Sequence, residues 1–440
     1  MLQFFPLAFK NIFRNRKRSV TLGVNYAVVT LILVLLFAFS AGATQNIETN
    51  LMRSSAGHIT ISGQYAKGGR IYPGIPDTKE IVDIARNTLG SVEAVPRYVL
   101  MSTLYFKGLS KRLTFVGFDT ATDNGFEDQL NFLGGSWQAF LNDPNGIIVP
   151  EDTATYYGLT TGDQTTISTR SRLGAFNTGI MKVDGIYTSN NYFAKGFVLA
   201  HYDFLQKLDL AGSDSSSQLF LYLTDTSRLN YKRDLLMEAY RSAGFEVSKP
   251  TSDTEALEIV TSASTKYQVD KANRDRVMLR IATIGEVLGI VRTVLAAVNA
   301  VGSVIAAIML FIIAVSILIN LRMTINERLR EIGTMRAIGF ETTGVTALFV
   351  SENVILSLIF IGIGIIAALL VTGIFAYLVV LPSTGNLGLF LDRGHLVLIP
   401  TVAGVLGVAA VITLFTALFS YFPARRGGRI TPVEALNRVF

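Results

Sequence analysis

Glu327, Arg328, Arg330, Glu331 and Arg336 form a charged island in the stretch Asn320–Gly339 (N-L-R-M-T-I-N-E-R-L-R-E-I-G-T-M-R-A-I-G) between two long apolar runs. So dense a set of charges cannot lie at bilayer depth, where each is costly. Ile325, Leu329, Ile332 and Met335 recur at helical spacing while the charges fill the other face, which predicts a short amphipathic helix.

Bond-making chemistry finds little support elsewhere. The chain has no G-x-x-x-x-G-K-[ST] phosphate loop, so it is not expected to hydrolyse ATP itself, and it has neither H-E-x-x-H nor G-x-S-x-G. His58, His201 and His395 stand alone, as surface or packing residues do, and no metal or cofactor is expected directly on the chain. The absence of cysteine excludes disulfides and thiolate metal sites and leaves the compartment open.

The elements that must position the charged island are membrane spans. Of 440 residues 50% are hydrophobic and only 16% charged, too few charges for ordinary soluble domains. Val20 to Ala43 and Thr293 to Leu321 carry no charge at all, and each exceeds the roughly 20 residues a spanning helix needs. Asn353–Leu391 holds a third span and a loop, and His395–Phe422 a fourth. The first run lacks a small-residue cleavage site and reads as a retained anchor. Lys10, Arg14, Arg16, Lys17 and Arg18 precede it, and Arg425, Arg426, Arg429 and Arg438 follow the fourth. With the basic island these place the termini and the island on the cytoplasmic side. Residues 44–280 hold 24 basic and 26 acidic side chains, so the net +6 comes from outside that region and reports topology; nucleic acid is not an expected partner. Glu352, Glu286 and Arg292 border the apolar runs; each can snorkel to the interface, or Glu352 can pair with a basic residue of the cytoplasmic helices. Ion-coupled transport is disfavoured, since deep in the runs only Asn25, Asn299 and a few hydroxyls are polar.

The predicted organisation is a cytoplasmic amphipathic helix over 1–19, spans over 20–43, 284–321, 345–381 and 395–422, an extracytoplasmic domain with helical stalks over 44–283, a charged helix and loop over 322–344, an external loop over 382–394 and a tail over 423–440. The 1–19 segment reads either as a helix on the membrane surface or as a topology signal alone. Within 44–283 short alternating runs broken by Gly, Pro and Asp predict an α+β domain of two subdomains. Asp77 with Glu80 is a capping-box pattern opening a helix that stops at Gly90. Strands are expected at 58–62, 95–106, 113–118, 146–149, 164–169, 181–187, 197–201, 218–224 and 245–247, and helices at 151–157 and 229–243. Thr254 to Ile281 reads as a polar helix running on into the second span, either continuous or kinked near Gly285 or Gly289. Gly362, Gly364, Ala368 and Gly373, with Gly404 and Gly407, permit close helix packing, within the chain or between subunits.

One span, a large outer domain, then three spans with a charged loop resembles the layout of FtsX-like and MacB-like ABC transporter permeases. The matching residues are E-R-L-R-E-I-G-T-M-R-A-I-G (Glu327–Gly339) with Glu352, the tail P-A-R-R-G-G-R-I-T-P-V-E-A-L-N (Pro423–Asn437), and L-A-F-K-N-I-F-R-N-R-K-R-S (Leu7–Ser19). The resemblance implies a MacB-like periplasmic core inserted between spans 1 and 2 and a coupling helix that docks on a separate ABC ATPase carrying ATP and Mg, through Glu327, Arg328, Arg330, Glu331, Gly333 and Arg336. It also implies a second permease chain, identical or paralogous, in a bacterial inner membrane. Within the family the outer-domain run (Val116–Asp119, Tyr157–Asp163) is similar to lipoprotein-releasing Lol-type permeases, for which Phe37, Phe39, Leu51 and Met52 would form an acyl-chain groove. The alternatives are MacB-like export of a peptide or small molecule with a periplasmic adaptor, and FtsX-like mechanotransmission to a cell-wall hydrolase.

Overall fold

The computed structural model describes residues 16–67, 70–120, 122–123, 125–261, 276–381, 385–392 and 394–431. Most of the expected 1–19 helix, residues 262–275 of the polar stretch, part of the 382–394 loop and the end of the tail lie outside the described residues. Two compact units are present, one of Met1–Thr44, Leu295–Leu381 and His395–Phe440, the other of Gln45–Val294 and Pro382–Gly394.

The first unit is helical. Its helices are α1 (Arg16–Ser54), α2 (Gly289–Glu327), α3 (Leu329–Ala337), α4 (Thr342–Tyr377) and α5 (Val402–Gly428), with α1 and α2 each contributing residues to both units. All but α3 are long and apolar enough to cross a membrane, and in hydrocarbon a helix satisfies every backbone group internally. Tyr26, Val29, Leu33 and Val34 of α1 are buried against Ile313 and Ile317 of α2, Leu356 and Ile361 of α4, and Val408 and Ile412 of α5. Asn25 donates from α1 to the Ser316 hydroxyl of α2 at 3.3 Å. A Cβ on Gly364 would lie 2.5 Å from the Ala27 carbonyl oxygen, so α4 and α1 touch at backbone distance there. Gly364 and the fully buried Ala368 therefore serve packing within the chain, whereas Gly362, Gly373 and Gly407 meet open space.

The second unit is built on strands β1 (Ile59–Lys67), β2 (Arg70–Pro73), β3 (Val92–Phe106), β4 (Leu109–Phe118), β5 (Asn131–Gly135), β6 (Gly146–Pro150), β7 (Gln164–Arg170), β8 (Phe176–Thr188), β9 (Phe197–His201), β10 (Gln218–Leu223), β11 (Glu246–Ser248) and β12 (Val277–Thr283). They form a 12-stranded mixed sheet, ordered β11-β12-β1-β10-β3-β4-β9-β6-β8-β5, with β2 beside β1 and β7 against β3 and β8. Of the hydrophobic cores that this one sheet contributes to, two are the largest. In one, Ile59, Ile61, Leu221 and Ile281 pack on helices Thr78–Leu89 and Leu229–Ser242; in the other, Leu104, Phe115, Ile147 and Val183 pack on helices Glu151–Tyr157 and Tyr202–Leu208. β3 serves both, sending Val92 and Ala94 into the first and Tyr98, Leu100 and Leu104 into the second. The β3–β4 hairpin closes on Lys107 and Gly108 at φ 46° and 83°, the left-handed pair that matches strand twist.

Three expectations need correction. The stretch after Asp253 is not one helix, continuous or kinked: helix Asp253–Thr261 is followed, from residue 277, by strand β12, helix Ile284–Val287 and then α2. β12 lies antiparallel to β1, with Ile61 opposite Ile281, which sends Leu279 and Ile281 into one core and Ala282 into another. Arg280, buried between them, is neutralised by Glu255 at 2.5 Å. Asp77 does stand before a helix, but its side chain caps nothing. The distant Asp214 accepts the orphan N–H groups of Thr78 and Lys79 instead, at 2.8 and 3.1 Å. A capping box does form at Thr283, whose backbone N–H donates to Glu286 Oε2 at 2.9 Å. Glu286 also pairs with Arg233, so it is held by protein where snorkelling was expected.

Candidate functional site

The charged island folds as the end of α2, a break at Arg328, the short helix α3 and a turn into α4. Arg328 has φ −98° and ψ 19°, outside the helical region, and this single residue separates α3 from α2. α3 ends on a Schellman motif: Phe340 N–H donates to Met335 O at 3.0 Å and Gly339 N–H to Arg336 O at 3.2 Å. Gly339 sits at φ +99°, open only to a residue without Cβ strain.

One face of α3 is sealed. Ile332 is fully buried with Leu321 and Ile325 of α2, Val345 and Phe349 of α4 and Ala424 of α5. Each such aliphatic or aromatic side chain contributes about 1.5–3 kcal/mol when removed from water. Of the predicted apolar stripe, Ile325 and Ile332 are buried, Leu329 and Met335 half-buried.

Beside this core stands a buried ion pair. Arg328 Nη1 lies 3.0 Å from Glu352 Oε1 and 3.2 Å from Oε2, with both side chains about nine-tenths buried. Arg328 Nε makes no hydrogen bond among the described residues and lies 4.0 Å from Glu331 Oε2. Of the two roles open to Glu352, pairing and not snorkelling is the one it fills. A charge at this depth is tolerable only with a partner, so the pair fixes the start of α3 against α4.

These contacts divide the six residues expected to dock. Arg328 is turned inward and Gly333 is buried, so neither presents a surface. Arg336 is half-buried and donates to the Phe340 carbonyl at 2.8 Å. Glu327, Arg330 and Glu331 are exposed. Arg330, Glu331, Thr334, Ala337 and Ile338 recur at helical spacing as one open stripe, charged at its start and apolar at its end. Ile338 is 83% exposed and Phe340 42%. Sequence reading missed this apolar end; its signal was I-G-F, a helix stop with large apolar residues on either side of the glycine.

Of the four residues expected to line an acyl-chain groove, only Phe37 is exposed. Phe37 is exposed and Phe39 half-buried on a different side of α1, since two residues along a helix turn through about 200°. Leu51 is sealed at 1% exposure with Ile47, Ala256 and Ile259, and the half-buried Met52 packs on that same cluster.

Comparison with known proteins matches residues 303–432 to the family described as FtsX-like permease C-terminal, a segment that contains α3, its ion pair and its core. The chain is 30% identical over 157 residues to an uncharacterized ABC transporter permease of Methanocaldococcus jannaschii, covering 35% of each protein. It is 29% identical over 136 residues to the macrolide export ATP-binding/permease protein MacB of Bartonella quintana, covering 31% of this chain and 18% of that protein. It is 32% identical over 133 residues to the pyoverdine export ATP-binding/permease protein PvdT of Pseudomonas entomophila, covering 30% of this chain and 18% of that protein. The chain thus spans about a third or less of the length of these relatives. Among solved structures, the periplasmic region of MacB from Actinobacillus actinomycetemcomitans aligns with TM-score 0.33 at 12% identity, covering 56% of this chain and 97% of that one. The extracellular domain of the noncanonic ABC-type transporter YknZ from Gram-positive bacteria aligns with TM-score 0.28 at 15% identity, covering 41% and 95%.

Proposed function

We propose that this chain, with an FtsX-like permease C-terminal domain over residues 303–432, is the permease subunit of an ATP-driven ABC transporter of the FtsX and MacB type. A separate subunit binds ATP with Mg and hydrolyses the ATP. The observation that carries this reading is α3: an open stripe of charged and apolar residues on a helix anchored from behind by the Arg328–Glu352 pair and the Ile332 core. A helix held that firmly passes a push on its exposed face to α2 and α4. Docking falls to Glu327, Arg330 and Glu331, with Ile338 and Phe340 as the apolar contact; Arg328, Gly333 and Arg336 hold the helix in shape.

In this reading α3 and both termini face the cytoplasm, which the basic flanks support, and residues 45–294 lie on the outer side of a bacterial inner membrane. Two permease chains, identical or paralogous, pair with two ATPases. In the finer reading, drawn from the sequence resemblance, the substrate is a lipoprotein extracted from the outer leaflet. Export of a small molecule or peptide with a periplasmic adaptor is the second reading, favoured by the macrolide and pyoverdine exporters among the relatives.

Reversing the stripe (Arg330→Glu with Glu331→Lys) tests the docking. The expected result is loss of the co-purifying ATPase, read as loss of Mg-ATP hydrolysis in the purified complex, with membrane insertion intact. Unchanged co-purification removes the docking assignment. Gly333→Pro is no substitute, because proline inside a buried helical turn breaks α3 itself.

A further inference from the structure

Between α2 and α5 runs an open groove of about 490 Å³. Its walls are two helical stripes of the same design. On α2, Leu318 is followed one turn later by Arg322; on α5, Phe419 and Phe422 are followed by Arg426. Both guanidiniums are exposed, and among the described residues no carboxylate forms an ion pair with either. Arg328, on the following turns of the same segment, is neutralised by Glu352. The groove is therefore apolar toward the membrane interior and doubly cationic where the spans end, at headgroup depth. Gly427 closes its base, where a Cβ would lie 2.9 Å from Ile325.

We propose that this groove holds one anionic phospholipid, its phosphodiester bridged by Arg322 and Arg426 and an acyl chain laid against Leu318, Phe419 and Phe422. A free anion would leave the apolar wall unused, and a zwitterionic lipid would leave both positive charges uncompensated where an anionic one offsets one of them. An amphiphile with an anionic head uses both parts, and basic pockets between spans on the cytoplasmic side suit such headgroups. The assignment rests on the spans and not on the ATPase, and Arg322 and Arg426 lie off the α3 stripe, so each proposal fails by its own variants.

The test is native mass spectrometry of the full-length chain in detergent, titrated with phosphatidylglycerol or with phosphatidylcholine of identical acyl chains. The expected result is a one-to-one phosphatidylglycerol adduct and at least about tenfold weaker retention of phosphatidylcholine. Arg322→Gln with Arg426→Gln weakens phosphatidylglycerol binding on the order of 30-fold, from about one favourable headgroup interaction lost per arginine. Arg425→Gln leaves it unchanged, because that guanidinium lies over the Tyr421 ring at 5.8 Å and lines no part of the groove. Equal retention of the two lipids by the unaltered chain overturns the proposal without any variant. So does full retention by the double variant, or displacement of the lipid by inorganic phosphate alone.

Discussion

Glu352→Gln removes the charge that balances Arg328 while keeping nearly the same shape. The two side chains are only 11% and 9% exposed, so solvent does little to rescue the guanidinium left behind. Breaking a buried pair from one side costs about 3–5 kcal/mol, and the site's place near the end of a span points to about 3. Because α3 is short and set between a break at Arg328 and a turn, the loss should appear as local opening of Leu329–Ala337 before global unfolding. At about 1.4 kcal/mol per tenfold, amide exchange in α3 should quicken roughly 100-fold while α4 beyond Leu356 stays protected. Arg328→Met with Glu352→Leu, which replaces the pair by apolar groups of similar volume, should return α3 close to its original protection. An acceleration below about 3-fold in Glu352→Gln, or a double variant as open as the single one, would refute the claim that this pair anchors the helix.

Gly339→Ala meets no atom within 4 Å, so its cost is purely that of a positive φ, about 1–2 kcal/mol; exchange at the last turn of α3 should rise by that amount, and no change would mean the turn relaxes freely. Gly364→Val forces α4 from α1 and should cost about 1–3 kcal/mol in detergent unfolding, whereas Gly362→Val should stay within about 0.5; equal effects would contradict the packing. His58 accepts the Leu223 N–H at Nδ1, 2.9 Å, and burial holds its pKa below the usual value, opposed by the nearby Glu48 charge. The unfolded chain therefore takes the proton first, so stability is full above about pH 6.5 and falls as pH drops toward the folded value. Urea midpoints at successively lower pH should fall less in His58→Gln than in the unaltered chain, and parallel curves would remove the histidine from the account. Reporters after Phe440 and at the N-terminus should read cytoplasmic and one near Ser213 external; an external C-terminus would overturn the four-span topology.

The spans and α3 are legible because each follows from a pattern local in sequence: uncharged runs, and charges alternating with apolar residues at helical spacing. What escaped was set by distant partners. β12 shows only Leu279 and Ile281 as alternation, and its buried Arg280 makes sense only beside Glu255. The cap on helix Thr78–Leu89 comes from Asp214, far along the chain. Arg328 looked like one exposed charge among several, since nothing local says which arginine turns inward to Glu352. Phe37 and Phe39 likewise are near in sequence yet face different sides of one helix, so one is exposed and the other half-buried.

In the proposed function α3 couples this chain to an ATPase. Native mass spectrometry of the assembly, extracted gently from its own membrane, tests it most directly, with the Arg330→Glu, Glu331→Lys variant alongside. The account predicts a mass of two permease chains and two ATPase subunits for the unaltered protein and permease chains alone for the variant. A chain that never carries an ATPase, or a variant that keeps its full complement, would contradict it.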